Sequence, residues 1–505
     1  MLVRLDIPPG VRSADTAFAR PGVWRDASLI RFYEGAPETM GGWEQVTTSQ
    51  IGGVCRSIIT WTDNSNRSNI AMGRHNGLSL WRAGALVDIT PATGFTVGQI
   101  DGSGGSGYGT GAYGVGGYGD PSTSDAFPLT WSFATFGETL FANPRNQGIF
   151  WWQNNTAVKP ALLTNAPARC TIMTVTPSLQ VMALGCTNTS GVFDPLCIRY
   201  TDTENPTGWA ITSTNLAEQT FLDSGGRIVG QAWLGDTCAI WTNNSFWIGR
   251  YTGSFAQPWI FTKTADDCGL AGPNAVTVLN QVAYWITPQG RMMACGVGGI
   301  PQMLELGLGD DFASNLAPGQ NDKIVASTIS KFGEVIVYYA DKRDGYENSR
   351  YILVNVAKGH VAPGRMARTA WCDVGAANDA YPIGITYQGD VFYQEKGTTA
   401  ADQPLKAYLE SSILSLDESD TVWLVNSIRP DFKNQVGPIT MTVSAALYPQ
   451  DVPVVRTTTN FVAGQSKFDT LFTGRYLSLR LESNYYPSSF RLGTISVDLT
   501  ATGTK

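Results

Sequence analysis

Two histidines, eight cysteines and a few acidic pairs are the residues of this 505-residue chain whose types could do chemistry. His75 sits in RHNG (74–77) and His360 in KGHVAPGR (358–365); both read as loops, and neither has a serine or cysteine nucleophile beside it. A nucleophilic triad needs a base within hydrogen-bond reach of its nucleophile, and no GxSxG elbow or HExxH helix marks one here. Cys55, Cys170, Cys186, Cys197, Cys238, Cys268, Cys295 and Cys372 contain no CxxC pair. The closest group, Cys170, Cys186 and Cys197, has no histidine to complete a zinc set, so buried free thiols in a reducing compartment are expected. Carboxylates pair at Asp266–Asp267, at Asp310–Asp311 and among Asp417, Glu418 and Asp420. Such groups hold calcium or cleave glycosides only when a loop or cleft converges them. Without a DxDxG loop or sialidase-type boxes they read as solvated loop charges. GSGGSGYG echoes a dinucleotide fingerprint but lacks the strand–turn–helix setting. The expectation is a non-enzyme with no catalytic residue, no cofactor and no metal.

The feature that does stand out is Asp101–Asp120, DGSGGSGYGTGAYGVGGYGD, uncharged between its terminal aspartates. Ordering glycine costs the most backbone entropy, so neither helix nor packed strand is expected there. Tyr108, Tyr113 and Tyr118 recur at a five-residue step. They offer large contact surfaces on a compliant backbone, as a surface fitted to another copy or another protein would. A flexible linker is the plainer reading of the same composition.

The elements around these residues are strands. Glycine is 55 of 505 residues, charged residues are only 15%, and tryptophan (15), tyrosine (19) and phenylalanine (21) are plentiful. That mixture favours turns and half-buried strands over helices. The formal charge of −7 lacks the basic footprint that gripping phosphates requires. The opening MLVRLDIPPG has no apolar core of a signal peptide. The uncharged run 269–290 is broken by Pro273, Asn274, Asn280, Gln281 and Pro288, so no membrane span is expected.

A recurring hairpin joins an apolar strand to an aromatic-rich one through an Asn, Gln or Gly turn. It occurs at 69–81, 138–152, 236–248 and 281–294, and in weaker form at 334–356 and 381–394. The turns RHNG, PRNQG and PQG carry residues that tolerate positive φ. Single hairpins cannot bury such faces, so the six must stack or close on one another. An irregular β-propeller with insertions meets that need and leaves only short edges; stacked sandwiches are the competing architecture. Further on, TVWLV (421–425), ITMTVSAAL (439–447), RYLSLRLES (475–483) and GTISVDL (493–499) alternate strictly. Leu477, Leu479 and Leu481 fall on one face and Ser478 and Arg480 on the other, the period of a strand with one wet side. The reading is all-β: an N-terminal strand segment (1–45), a propeller-like region (46–400) with the insertion 101–120, and a C-terminal antiparallel sandwich-like domain (405–505). Helix is expected to be scarce; 303–319 is a candidate for a short one, with Gly307 and Gly309 against it.

Several segments resemble the tail-nozzle, or packaged-DNA stabilisation (tail hub), proteins of short-tailed bacteriophages. These are FARPGVWRDASLIRFYEGAPETMGGWEQV (18–46), GRHNGLSLWRAGALVDITP (73–91), the glycine–tyrosine tract followed by TWSFATFGETLFANPRNQGIFWW (130–152), and FRLGTISVDLTATG (490–503). The resemblance implies a structural virion protein of the tail, assembled in the host bacterial cytoplasm. It implies a homo-oligomeric, hexameric ring below portal and adaptor proteins, touching tail fibres or tip proteins. Such a ring would retain packaged DNA and conduct it on ejection, with non-specific, transient passage of the genome past an acidic lumen. Tyr108, Tyr113 and Tyr118 are the expected interface residues. The alternative is a carbohydrate-binding or carbohydrate-cleaving propeller at a host surface, because adjacent aromatics such as Trp151 and Trp152 exceed what one core face can bury. A eukaryotic-type scaffold propeller is a third reading, without a WD-like or kelch-like period to support it.

Overall fold

The computed structural model describes residues 1–14, 22–102, 127–375, 380–416, 421–448 and 450–504. Strand segments dominate. The described helical content is one turn of α-helix, Asp311–Asn315, and two 3-10 turns, Asn321–Lys323 and Ser330–Phe332. The α-helix falls inside the 303–319 stretch, and Gly307 and Gly309, both at positive φ, precede it.

Seven sheets follow one another along the chain. Their inner strands are Cys55–Thr62, Trp131–Phe136, Cys170–Val175, Ile228–Leu234, Val276–Leu279, Val325–Ile329 and Ala370–Cys372. Each inner strand touches the next, and Ala370–Cys372 returns to Cys55–Thr62, so the seven sheets are blades of a closed β-propeller. Blades 1 to 6 are four-stranded meanders. Blade 7 takes Ala370–Cys372, Ile383–Ile385 and Val391–Gln394 from late in the chain and Trp43–Gln45 from its start, with Trp43 opposite Gln394 and Gln45 opposite Phe392. Pairing the two ends of the ring in one sheet means the propeller opens only by breaking that ladder.

All six hairpins read from the sequence are the two middle strands of a blade: blades 1, 2, 4, 5, 6 and 7. The count needs one correction: a seventh blade, blade 3, lies between the second and third of these hairpins. Its middle strands are Val181–Thr187 and Phe193–Tyr200. The first is buried throughout, so it does not alternate, and a register shift falls between Leu184 and Cys186. The second is interrupted by Asp194 and Pro195. The turn reading needs a second correction. Asn146 in PRNQG and Gly290 in PQG adopt positive φ (63° and 76°), whereas His75 and Asn76 of RHNG do not. His360 also departs from expectation: it begins the strand His360–Arg365, the outer strand of blade 6.

The aromatics that looked too numerous for one face are shared between two. Each blade packs both faces against neighbours. Trp61, Trp131 and Trp152 therefore lie between blades 1 and 2, while half-buried Trp151 turns toward the core shared with blade 3. Trp247 and Trp259 fill the junction of blades 3 and 4, and Trp241 and Trp285 that of blades 4 and 5.

Two six-stranded sheets form a sandwich beside the propeller. Thr421–Val436, Phe468–Gly474 and Ser489–Thr504 build one sheet; Ala407–Ser411, Ile439–Ala446, Val454–Phe461 and Tyr476–Ser483 build most of the other. Leu477, Leu479 and Leu481 point into its core, as their alternation requires. N-terminal strands complete both sheets. Leu2–Leu5 and Ala36–Thr39 pair with Ser489–Thr504, and Trp24–Ser28 pairs with Ala407–Ser411. One continuous apolar core runs from the sandwich through blade 6 to blades 4 and 5.

Candidate functional site at the mouth of the channel

The inner strands of all seven blades enclose a cavity of about 290 Å³ lined by Ser57, Thr130, Ser132, Thr174, Gln231 and Asn274 among apolar neighbours. Within a blade the chain runs from inner to outer strand. The turn between the second and third strands and the passage to the next blade consequently share one face. The glycine–tyrosine insertion leaves from that face between blades 1 and 2. Tyr108, Tyr113 and Tyr118 themselves lie outside the described residues, but both roots of the insertion are defined.

On the outgoing side, the Ile100 carbonyl accepts a hydrogen bond from Arg56 Nη2 at 2.9 Å and the Gly102 carbonyl one from Gln320 Nε2 at 3.3 Å. The Asp101 carboxylate meets Lys323 Nζ. On the returning side, Phe127 lies between two guanidinium groups, Arg145 and Arg227, each 4.2 Å from its ring centroid. Gln99 pairs with Pro128, and Leu129 N donates to the Gln99 carbonyl at 2.8 Å, so the two roots run side by side.

Beneath the roots, Glu347 of blade 6 receives two hydrogen bonds from Arg56 of blade 1, at 3.1 and 2.8 Å, and an ion pair from Lys323 at 3.4 Å. Burial opposes ionisation of Glu347, but Arg56 and Lys323 outweigh it and hold the carboxyl below its ordinary range. Lys323 is fully buried, and Arg145 pairs with Asp322 at 2.7 Å. Burial, together with the neighbouring Arg145 charge, pulls the Arg227 guanidinium down from its usual value. These contacts join blades 1, 2, 4 and 6 across the channel mouth. Chemically the cluster is an anchor, whose charges are consumed in holding the loop roots.

No pairing of this kind was readable from sequence. Arg56 and Glu347 are 291 residues apart, and neither sits in a motif. The same holds for the joint between sandwich and propeller. There Arg31 forms a two-point pair with Glu395 at 2.8 and 2.7 Å, reaches Glu334 at 3.2 Å and lies 3.6 Å over the Phe332 ring.

The groups considered first for chemistry are dispersed. His75 Nδ1 accepts from Val54 N at 3.0 Å, fixing the turn beside the channel mouth, and burial lowers its pKa. His360 stands edge-on to Phe32 and lines a second cavity of about 420 Å³ with Pro8–Arg12; burial lowers its pKa as well. Seven cysteines are buried and Cys372 half-buried, all as free thiols. Cys186 and Cys197 approach to 3.8 Å between sulfurs, and burial raises Cys170 to about 12. Asp266 pairs with Lys263 and Asp311 with Arg343, while Asp417, Glu418 and Asp420 lie outside the described residues. Among the described residues no three His, Cys, Asp or Glu side chains converge as a metal site, and no helix is long and apolar enough to cross a membrane.

These features define the protein as a seven-bladed β-propeller carrying a β-sandwich completed by both ends of the chain. No family model and no curated protein matches it. Among solved structures it is similar to BBS1N in its complex with ARL6DN, at 13% identity and a TM-score of 0.42, over 70% of this chain and 97% of that one. It is also similar to the extracellular domain of the putative hybrid two component system BT3049 from B. thetaiotaomicron, at 10% identity and a TM-score of 0.44, over 92% and 57%. The WD40 β-propeller domain of Doa1 is similar at 10% identity and a TM-score of 0.38, over 70% and 98%.

Proposed function

We propose that this chain is a structural virion protein of the tail-nozzle class. In this reading it forms a hexameric ring that prolongs a portal–adaptor channel, retains packaged DNA and conducts it during ejection. Support comes first from the segments that carry the resemblance. The observation that weighs most is that strands from the two end segments meet in one sheet, Ile30–Tyr33 and Ala36–Thr39 beside Ser489–Thr504, with Glu38 opposite Arg491. Arg491 Nη1 also bonds the Glu38 carboxylate at 3.0 Å.

The propeller's own cavity of about 290 Å³ is too small to thread a nucleic-acid duplex. A conduit in this reading is therefore a space enclosed by several copies, which calls for a ring. The aromatics that motivated a carbohydrate-binding role, Trp151 and Trp152, are instead taken up between blades.

Electron microscopy of the purified protein, alone and with a portal–adaptor assembly, tests the proposal. Six-fold rings that dock coaxially on the adaptor are expected. A protein that stays monomeric at micromolar concentration and ignores the adaptor overturns it. Replacing Tyr108, Tyr113 and Tyr118 together with serine should weaken ring assembly or docking while leaving the fold intact, because buried interface aromatics carry a disproportionate share of binding energy.

A further inference from the structure

Resting on the ring reading, we propose that neighbouring copies join head to tail, the open edge of one copy's sandwich pairing with the outer strand of blade 4 in the next. The sandwich has two edges with different fates. Trp24–Ser28 and Ile30–Tyr33 close one edge, and both are covered by the blade 6 strand His360–Arg365. Val454–Phe461 and Phe468–Gly474 form the other, and among the described residues nothing pairs with their outer sides. Val454–Phe461, VVRTTTNF, has five β-branched residues, a single charge and no proline. An edge this long with so little protection is a template for another strand. Around it Val452, Val454, Val455 and Leu471 are 84%, 55%, 58% and 77% exposed.

The propeller offers one edge of matching length. Outer strands of the other blades run two to six residues, and the six-residue one is the strand the sandwich covers. The outer strand of blade 4, Gln257–Asp266, has ten. Ile260 on it and Phe255 at its hairpin tip are exposed.

Arg456 on the sandwich edge and Asp267, which follows the outer strand of blade 4, are exposed, and neither has an ion-pair partner among the described residues. The sandwich leans on blades 6 and 7, two or more blades away from blade 4, so the two surfaces serve different neighbours. Dissimilar patches on different sides of one chain make a heterologous contact, which closes into a ring when its rotation allows.

The test uses Val455→Cys and Ile260→Cys in the full chain, both at exposed positions, with wild type as control for native thiols. Each variant, and their equimolar mixture, is treated with a short bis-maleimide while native mass spectrometry follows the oligomer. Cross-linked dimers that form in the mixture and in neither variant alone are expected. Val455→Lys should raise the subunit dissociation constant about tenfold or more. Cross-linking of Val455→Cys with itself would reveal two-fold edge pairing and overturn the proposal. Rings without any cross-link would overturn these surfaces and leave the ring reading standing; absence of any oligomer would remove both.

Discussion

Replacing Arg31 by methionine should be among the most damaging single changes available to this protein. The Arg31 and Glu334 side chains are 1% exposed and that of Glu395 is 6% exposed, so one guanidinium serves two carboxylates out of reach of water. Glu395 also accepts a hydrogen bond from Gly41 N at 2.9 Å, which ties the chain leading into blade 7 to the same centre. Methionine fills comparable volume but leaves both carboxylates without a counter-charge. Breaking a buried pair from one side costs about 3–5 kcal/mol. The lost guanidinium–Phe332 contact contributes in the same direction, up to ~2 kcal/mol when desolvated. A loss of about 4 kcal/mol at pH 8 is therefore expected.

The loss should shrink in acid, where the stranded carboxyls take up protons instead of remaining charged. Urea unfolding of wild type and variant, followed by both tryptophan fluorescence and far-ultraviolet circular dichroism at pH 5 and pH 8, measures this. A difference below about 1 kcal/mol at pH 8 would place the pair in the range of exposed salt bridges and refute the reasoning. So would a loss that does not change with pH.

Three further outcomes are expected. Burial, aided by Glu395 and Glu38 and opposed by Arg31, raises Glu334 from 4.5 to about 7. Folding then binds a proton there; this stabilising contribution is complete below pH 4.5 and lost as pH rises through about 7. At about 1.36 kcal/mol per pKa unit it amounts to roughly 3 kcal/mol. Glu334→Gln should accordingly flatten the stability–pH curve between those limits and raise stability at pH 8, as denaturation midpoints across the range will report. Gly73→Ala should lower stability by about 1–3 kcal/mol through overpacking, because the added Cβ would lie 2.4–2.8 Å from the Trp131 side chain; Gly73→Ala melting compared with wild type checks it. Lys323→Met removes one of the two cations facing Glu347, with Arg56 still bonded to it, and should cost about 2 kcal/mol, whereas Asp101→Asn should cost under about 1 kcal/mol because Asp101 is 59% exposed; calorimetry of the two variants separates them.

The hairpins were legible because their signals are local. Alternation in Leu477–Leu481, the QG turn at 289–290 and the aromatic strand ending at Trp152 each depend on neighbours a few residues away. Their number also carried the fold class, since six half-buried hairpins without helices have few ways to cover one another. Blade 3 escaped because burial on both faces removes alternation from Val181–Thr187, and Pro195 hides its partner strand. Nothing local could place Trp43–Gln45 in blade 7 or Leu2–Leu5 beside Ser489–Thr504, because a three- or four-residue strand specifies its register only against the sheet that receives it.

The charged clusters were equally hidden. Arg31, Glu334 and Glu395 are ordinary charges in sequence, and Arg31 lies more than three hundred positions from either carboxylate. They become an anchor only when ring closure and sandwich docking exclude water from all three. Local chemistry thus determined which segments become strands and where they turn. Long-range packing decided how many blades close the ring, which strands seal it, and which charges lose their solvent, because burial belongs to the whole assembly of elements and to no segment alone.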